Sequence, residues 1–273
     1  MVKILDGKKL ARKINRETEV EIKKSKITSG LAAILIGDNQ ASKLYVKLKE
    51  EQAKKIGIKF YKYKFSKNIA QNKILNTINL LNQNEKISGI IVQLPLPKKF
   101  NAEKIIQKIN FKKDIDGFHK KSLVQSPVVL SVIEFLKTAN QNLSDKKIVI
   151  IANSAIFFNS LRAILIKNNT KKSNIFLAKS TNKNLIEKTL IADIIIIVIG
   201  KTKFLKAKMI KNNAIIIDIG INKVDGKVVG DVDFENIKNK ASFITPVPGG
   251  VGPLTIAMLL KNCLELAKIQ MVK

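Results

Sequence analysis

Apolar and polar residues follow two different periods along this chain, and the two periods alternate. Short apolar runs or strict alternation predict strands over 31–37, 58–65 and 88–97, the last of them stopped by two prolines. Apolar residues at helical spacing predict helices over 41–58 and 70–81. Strands that alternate with helices in this way are typical of a parallel α/β sheet with right-handed crossovers.

The second half of the chain repeats this alternation. It carries predicted strands over 146–154, 173–180, 192–200 and 213–222, with predicted helices over 128–139, 155–169 and 182–191. This order is typical of a Rossmann-like doubly wound unit, in which ligands bind beyond the carboxyl ends of the strands. Those ends lie near 152–154, Ser180, Gly200 and Ile221.

The composition indicates a globular protein rather than a disordered or membrane-spanning one. The chain has 273 residues, 45% of them hydrophobic, and no apolar run approaches the length of a membrane span. The first residues lack the apolar core of a signal peptide. Cys263 is the only cysteine, which excludes an internal disulfide and a cysteine metal cluster. We therefore expect a soluble cytoplasmic protein.

The formal net charge of +29 raises the question of nucleic-acid binding. Only three of the 50 basic residues are arginines (Arg12, Arg16 and Arg162), tryptophan is absent, and 5% of the residues are aromatic. Proteins that bind nucleic acids favour arginine for bidentate contacts and aromatic rings for stacking. The lysines are scattered, so we interpret them as solvated surface residues and do not expect a nucleic-acid partner. A basic surface also suits an anionic small substrate through steering.

The segment TPVPGGVGPLT, residues 245–255, combines three prolines with three glycines. Proline fixes φ and glycine permits positive φ, so the segment is a stiff turn followed by a permissive one. A helix is predicted directly after Pro253. Two interpretations stay open: a loop that a ligand approaches closely, or a rigid turn between domains.

Candidate chemistry is concentrated in the first half of the chain. Ser42, Tyr45 and Lys49 have spacings of three and four residues, which puts them on one helix face, where a hydroxyl and an amine can converge on a ligand. A desolvated lysine can exchange a proton near neutral pH. On spacing alone, a solvated Lys49 is the better interpretation. Gln93 ends a strand, where an amide binds either a loop or a ligand.

The polar turn 112–119 carries two carboxylates and a histidine. Asp114 and Asp116 precede Gly117, and carboxylates in this setting more often shape a turn than catalyse. His119 is the only histidine and has no clustered partners, so we do not expect it to be a ligand or a catalyst. We expect no metal site.

In order and spacing, the motifs resemble those of the bifunctional methylenetetrahydrofolate dehydrogenase/cyclohydrolase family. The matching segments cover nearly the full length and are LDGKKLA, ASKLYVKLK, GIIVQLPLP, KKDIDGFH, DIGIN, VVGDVDF and ASFITPVPGGVGPLT. The resemblance implies oxidation of 5,10-methylenetetrahydrofolate with NADP, with NAD as the alternative cofactor, and hydrolysis of the methenyl product to 10-formyltetrahydrofolate. It also implies a homodimer and one folate cleft between two domains.

The resemblance implies a two-domain α/β fold. Residues 1–120, joined by the C-terminal helix 251–273, are expected to form an N-terminal α/β catalytic domain that binds folate. Residues 121–250 are expected to form the Rossmann-like doubly wound NAD(P)-binding domain.

The resemblance also assigns roles to single residues. It gives Lys49 the central acid/base role, has Tyr45 pack on the folate, has Gln93 tune Lys49, and has Asp116 bind the polar edge of the pterin. The 248–252 loop is expected to close over the folate. The remaining implied folate contacts are Ser42, Val92, Leu94, Pro248, Gly249, Gly250 and Gly252. The implied cofactor contacts are Ala152, Asn153, Ser154, Ser180 and Ile221.

The cofactor half departs from the family pattern. Ala152, Asn153 and Ser154 stand where members usually carry GRS, and Phe158 stands in place of a glycine. Asn153 cannot form the charge-assisted fork that an arginine offers to a 2′-phosphate. AKS replaces CHS, so Lys179 is a candidate to supply part of the lost charge. Three hypotheses follow: a bifunctional enzyme, a cyclohydrolase-dominant enzyme, or a basic nucleic-acid-binding protein on the same scaffold.

Overall fold

The computed structural model describes residues 2–119, 121–139 and 142–271. The strands are β1 (Lys3–Ile4), β2 (Gly30–Ile36), β3 (Lys59–Phe65), β4 (Gly89–Val92), β5 (Ile148–Ala152), β6 (Ile175–Ala178), β7 (Ile194–Val198), β8 (Ile215–Asp218), β9 (Asn222–Val224), β10 (Lys227–Val229) and β11 (Phe243–Ile244). The α-helices are α1 (Gly7–Ser25), α2 (Gln40–Lys55), α3 (Gln71–Gln83), α4 (Ala102–Gln107), α5 (Pro127–Thr138), α6 (Ala155–Lys167), α7 (Leu185–Leu190), α8 (Phe234–Ile237) and α9 (Val251–Met271).

The chain forms two compact units. One unit contains Met1–Leu10 with Val128–Thr255, and the other contains Ala11–Pro127 with Ile256–Lys273. The first ten residues therefore lie outside the unit in which we expected them, because β1 pairs with β11. Residues 272–273 of the expected C-terminal helix lie outside the described residues.

The unit built on 11–127 contains a three-stranded parallel sheet. Its central strand is β2, which pairs with β3 on one side and β4 on the other. β2 is buried along its whole length because alternate side chains enter two apolar clusters, which is why it reads as a continuous apolar run. α2 and the apolar face of α9 pack into the cluster that contains Leu31 and Leu35.

The unit built on 128–255 contains a six-stranded sheet in the order β1-β11-β8-β7-β5-β6, with every pair parallel. Counted from β5, the order of the following strands is 2-1-3-4-5, one of the two common doubly wound orders. β6 is added on one side of β5 and β7 on the other, so the strand order reverses between β5 and β7. A crevice for ligands opens at such a point. The predicted parallel α/β architecture is confirmed.

Three of the differences between predicted and observed bounds fall at expected site residues. The strand expected over 88–97 ends at Val92, because the following prolines cannot donate to a ladder. The strand expected over 213–222 ends at Asp218. α9 begins at Val251, so Gly252 lies in its first turn and not in the preceding loop. Across the described residues, no helix combines the length and apolar character needed to cross a bilayer.

Candidate active site

Lys49 lies in a buried position on α2, not on a solvated face. Lys49 is only 8% exposed, and its Nζ donates a hydrogen bond of 2.9 Å to Oε1 of Gln93. Burial lowers the pKa of Lys49, and the negative charge of Asp116 partly opposes that effect. The interpretation that spacing alone favoured, a solvated lysine, is therefore wrong for Lys49.

Gln93 is held in place through its backbone and through both polar atoms of its side-chain amide. Its backbone N–H donates to Ile34 O at 2.9 Å, which continues the β4 ladder by one residue. Its Nε2 donates to Leu94 O at 2.7 Å, so the carbonyl oxygen of the amide faces Lys49. Val92, the last residue of β4, is buried beneath this point. The sequence placed Gln93 at the end of a strand, and the structure confirms that placement.

Ser42 and Tyr45 share α2 with Lys49. The Oγ of buried Ser42 donates to Leu94 O at 3.5 Å, and Asn39 caps the helix by accepting from the backbone N–H of Ser42 at 2.9 Å. Tyr45 packs against the apolar cluster around β2, and burial raises the pKa of its hydroxyl. A half-buried ring with a neutral hydroxyl is available beside Lys49 for an aromatic ligand.

The turn after α4 carries two carboxylates, Asp114 and Asp116, that have different surroundings. Buried Asp114 accepts from the backbone N–H of His119 at 2.8 Å and shapes the turn. Asp116 has no such backbone partner among the hydrogen bonds of the described residues, and burial raises its pKa to about 6 against the opposing charge of Lys49. Gly117 has φ +68, and a Cβ there would lie 2.7 Å from the backbone of Ser126.

A residue on α9 that the sequence analysis missed holds this turn. The buried Asn262 side chain donates from Nδ2 to Ile115 O and to Gln125 O, both at 2.9 Å. Gln270 donates in the same way to Ser88 O at 2.9 Å and to Lys112 O at 2.7 Å. Polar residues within the apolar pattern of the predicted C-terminal helix were the available signal.

The proline- and glycine-rich segment belongs to the other unit. Gly249 has φ +107, a conformation that favours glycine, and its carbonyl accepts from the backbone N–H of Lys8 at 3.1 Å. A Cβ on Gly250 would lie 2.5 Å from Pro246 O. Pro248 is exposed, whereas Gly249 and Gly250 are buried. The local backbone therefore explains why glycine stands at 249 and 250, and Pro248 is the exposed tip of the segment.

The turn after β5 lies at the switch point of the six-stranded sheet. Ala152 is buried as the last residue of β5, and Asn153 Nδ2 donates to Ile199 O at 3.5 Å, across to the end of β7. The Oγ of Ser154 accepts from the backbone N–H of Phe157 at 3.2 Å and caps α6. The expected contacts at 152–154 thus stand where a doubly wound sheet binds ligands.

Ser180 and Ile221 stand beyond two other strands of the same sheet. Ser180 follows β6 closely, and its Oγ accepts from Lys201 Nζ at 3.2 Å. Ile221 is 50% exposed after β8. Gly200, after β7, has φ +67 and open space within 4 Å of the position that a Cβ would take. The backbone is therefore accessible at the switch point.

Two buried carboxylates near these loops were not assigned by sequence reasoning. Asp218 ends β8 and accepts backbone N–H bonds from Gly220, Asp231 and Val232 at 2.9–3.1 Å. Burial raises the pKa of Asp218 to about 7. Asp231 accepts from the loop after β7. Both residues belong to segments quoted only as family motifs, DIGIN and VVGDVDF.

Two family models match most of the chain. Residues 5–116 match the catalytic domain of tetrahydrofolate dehydrogenase/cyclohydrolase, and residues 126–271 match the NAD(P)-binding domain of the same family. The chain belongs to the tetrahydrofolate dehydrogenase/cyclohydrolase family. The bifunctional protein FolD of Nitratiruptor sp. is 43% identical over 280 residues, and FolD of Campylobacter hominis is 40% identical over 280 residues. Each alignment covers 98% of both proteins.

Solved structures of the tetrahydrofolate dehydrogenase/cyclohydrolase family share the fold. The bifunctional FolD enzyme of Campylobacter jejuni superimposes with a TM-score of 0.93 at 39% identity, covering 99% of this chain and 100% of that one. The Trypanosoma brucei enzyme, crystallised with NADP and an inhibitor, has a TM-score of 0.93 at 26% identity, covering 100% of this chain and 99% of that one. The family membership that the motifs indicated is confirmed.

The residues beyond β5, β6 and β7 fit a nicotinamide dinucleotide. The backbone is open at Gly200, Ser180 supplies a hydroxyl, and Lys201 supplies a positive charge. Among the described residues, no group of three or more His, Cys, Asp or Glu side chains is arranged to hold a metal ion.

Proposed function

We propose that this chain is a bifunctional enzyme of one-carbon folate metabolism. It oxidises 5,10-methylenetetrahydrofolate to the methenyl form with NADP, and it hydrolyses the methenyl form to 10-formyltetrahydrofolate. The single observation that carries the proposal is the buried Lys49, whose Nζ lies 2.9 Å from Gln93 Oε1 and is influenced by the charge of Asp116. Family membership over the whole chain supports it independently.

Lys49 is the proton-transfer group of the hydrolysis. The methenyl carbon is a cationic electrophile, so water attacks it readily once a base removes a proton. Water forms a bond to that carbon and gives one proton to Lys49. The carbon–N5 bond then breaks with its electron pair going to N5, which takes up the proton that the new hydroxyl group releases, and the formyl group stays on N10. Burial favours the neutral amine that this step needs. Gln93 accepts from Nζ and holds it in one place.

The remaining side chains of this unit bind and orient the folate. Asp116 carries a carboxylate whose pKa is raised to about 6, so it is ionised at neutral pH and accepts hydrogen bonds from the N–H groups of the pterin edge. Tyr45 offers a half-buried ring for stacking, and Ser42 ties α2 to the Leu94 backbone. Pro248, Gly249, Gly250 and Gly252 are proposed as further folate contacts on the basis of the motif alone.

Residues at the switch point of the six-stranded sheet hold the dinucleotide, which accepts the hydride when bound. We assign binding to Ala152, Asn153, Ser154, Ser180 and Ile221. NADP is favoured over NAD, because an acidic residue beyond the second strand commonly binds the free ribose hydroxyl of NAD. Here the residues after β6 are Lys179 and Ser180, and Lys201 donates to Ser180 Oγ.

A cyclohydrolase-dominant enzyme is the second candidate, and two features at the start of α6 favour it. The hydroxyl of Ser154 already accepts from Phe157 N–H, and the half-buried Phe158 follows in the first turn of α6. Both features reduce the backbone donors and the space that a pyrophosphate meets at this helix. The lysine beside Gln93 is unaffected by these changes.

Paired assays on one purified sample test the two candidates. Methenyltetrahydrofolate hydrolysis is followed by the loss of its absorbance, and methylenetetrahydrofolate oxidation is followed with NADP and with NAD. We expect both activities, with NADP preferred. Hydrolysis without oxidation identifies the cyclohydrolase-dominant enzyme, and the absence of both activities overturns the proposal.

The homodimer and the cytoplasmic location that we expect from sequence belong to this proposal. Light scattering coupled to size-exclusion chromatography tests the dimer directly. A mass near twice the 30.4 kDa of one chain is the expected result.

A further inference from the structure

One buried carboxylate holds three consecutive backbone amides at the switch point. Asp231 is fully buried, and its Oδ2 accepts from Ile199 N at 2.7 Å and from Gly200 N at 3.0 Å. Its Oδ1 accepts from Lys201 N at 2.8 Å. These amides form the loop that leaves β7, beside the turn that leaves β5.

Asp231 is itself held in place from several directions. Its backbone N–H donates to Asp218 Oδ1 at 3.1 Å, and Asn222 Nδ2 donates to its Oδ1 at 2.9 Å. Gly220 lies against the carboxylate, and a Cβ on this residue would sit 2.1 Å from the carboxyl carbon. Gly220 of the DIGIN segment and Asp231 of VVGDVDF therefore pack closely against each other, although they belong to separate sequence motifs.

Consecutive amides that point at one anion are a common way to bind a phosphate from solution. Here the protein's own carboxylate fills that role, so the loop is ordered before any ligand arrives. The fixed backbone leaves Gly200 open and places Lys201 where its Nζ reaches Ser180 Oγ at 3.2 Å and lies 5.8 Å from the Phe204 ring centre. Asp231 thus determines the position of groups that face the ligand, although its own carboxylate does not face the ligand.

We propose that Asp231 is a positioning residue of the dinucleotide site, which fixes the 199–201 loop and thereby sets the affinity for NADP. This inference rests on the proposed function, because it requires that the switch point binds the dinucleotide. It assigns no chemical step to Asp231. The carboxylate acts on affinity through the loop backbone and through Lys201.

The test compares Asp231→Asn with the full-length parent protein. An amide presents one oxygen and one NH₂ group, so it cannot accept from all three backbone donors at once. We expect the Kd for NADP, measured by calorimetry, to rise about tenfold or more, since charge-assisted hydrogen bonds are lost. Hydrogen exchange at the amides of Gly200 and Lys201 is expected to accelerate without NADP present. Methenyltetrahydrofolate hydrolysis is expected to stay within about twofold of the parent.

Asp193→Asn is the matched control. Asp193 precedes the opposite end of β7, where its carboxylate accepts from Lys147 N at 2.7 Å and from Lys211 Nζ at 2.5 Å. Its loss removes comparable hydrogen bonds from the same sheet, far along the strand from the 199–201 loop. We expect a lowered melting temperature with an unchanged Kd for NADP. A Kd that rises equally in both variants shows a general structural effect and overturns the proposal.

Asn222→Ala is a milder second variant if Asp231→Asn does not fold. It removes only the bond from Nδ2 to Asp231 Oδ1, and we expect a two- to fourfold weaker NADP affinity with faster exchange at Gly200. Unchanged affinity and exchange in this variant contradict the proposal. A parent protein that binds no NADP is a separate result, because it refutes the dehydrogenase half of the proposed function.

Discussion

At the scale of single residues, burial gives one lysine surroundings that its neighbours on α2 do not have. Lys49 is buried and donates to Gln93, and burial lowers its pKa, whereas Lys47 on the same helix is exposed and lies near Glu51. Lys49→Arg keeps the positive charge but cannot lose its proton in the physiological range, so it separates charge from proton transfer. We expect Lys49→Ala and Lys49→Arg each to lower kcat for methenyltetrahydrofolate hydrolysis by about 10²–10⁴-fold.

Stopped-flow absorbance of methenyltetrahydrofolate measures this loss. Lys47→Ala is the control, because the ion pair of Lys47 among the described residues is with the exposed Glu51 at 3.8 Å, and we expect its kcat to be unchanged. Near-normal hydrolysis in Lys49→Ala would show that another group moves the proton.

Asp116 predicts a pH dependence of folate binding. Its pKa is raised to about 6, and the pterin edge offers N–H donors that only the ionised carboxylate fully accepts. Affinity for a stable reduced folate, 5-formyltetrahydrofolate, is therefore expected to fall as the pH decreases through about 6. Equilibrium titration between pH 5 and pH 8 measures it. Asp116→Asn is expected to bind more weakly at pH 8 and to show no such transition.

The same raised pKa has a consequence for folding stability with the opposite sign. A carboxylate whose folded pKa exceeds its unfolded pKa costs stability once it ionises, so the cost grows from about pH 4 to pH 6 and persists above. Asp116→Asn is therefore expected to be about 1–3 kcal/mol more stable at pH 7 in urea unfolding. A destabilised variant would show that the Asp116 carboxylate is held by favourable contacts.

Sequence reasoning placed the proposed folate residues on their elements but did not predict their environment. The spacing of Ser42, Tyr45 and Lys49 gave a shared helix face, and only the packing of α2 against the sheet shows that Lys49 is buried. Asp231 was beyond reach for a different reason. Its partners are backbone amides at 199–201, about thirty residues away in the chain, and backbone donors have no signature in a sequence.

At the scale of secondary-structure elements, the long periodic segments were predictable and the short or charged ones were not. α1 was missed because charged residues surround a narrow apolar stripe that contains Ala11, Ile14 and Ile22. β1 and β11 have two residues each, too few to show a period. The β9–β10 hairpin had an available signal, since Asp225 and Gly226 form the Asp-Gly turn typical of two-residue hairpin loops.

We expect helix α9 to be coupled to the turn that carries Asp116. Asn262 donates to Ile115 O and Gln125 O, and Ile115 directly precedes Asp116. Asn262→Leu leaves the buried Ile115 carbonyl oxygen and the part-buried Gln125 carbonyl oxygen without this donor, so we expect a loss of about 1–3 kcal/mol of stability in urea unfolding. We also expect a raised KM for methenyltetrahydrofolate with a smaller change in kcat, because the turn that carries Asp116 loosens. Equal stability in the parent and the variant would contradict this account.

Gln270→Leu tests whether the effect is specific to that position. Gln270 lies on the same helix and donates to Ser88 O and Lys112 O, further from Asp116. We expect a comparable loss of stability with less change in KM than in Asn262→Leu.

At the scale of the whole molecule, the formal net charge of +29 sets a long-range field around a folate enzyme. Folates carry glutamate carboxylates, and a basic surface raises the rate at which anionic substrates arrive. The measurement is kcat/KM for methenyltetrahydrofolate hydrolysis between about 10 mM and 200 mM ionic strength, where the Debye length shortens from about 30 Å to below 10 Å. We expect kcat/KM to fall several-fold, and to fall more steeply for a pentaglutamate than for a monoglutamate. The uncharged-tail analogue, with its carboxylates esterified, is the control and is expected to show little dependence on salt. Equal slopes for all three substrates would show that the scattered lysines serve solubility and do not guide the substrate.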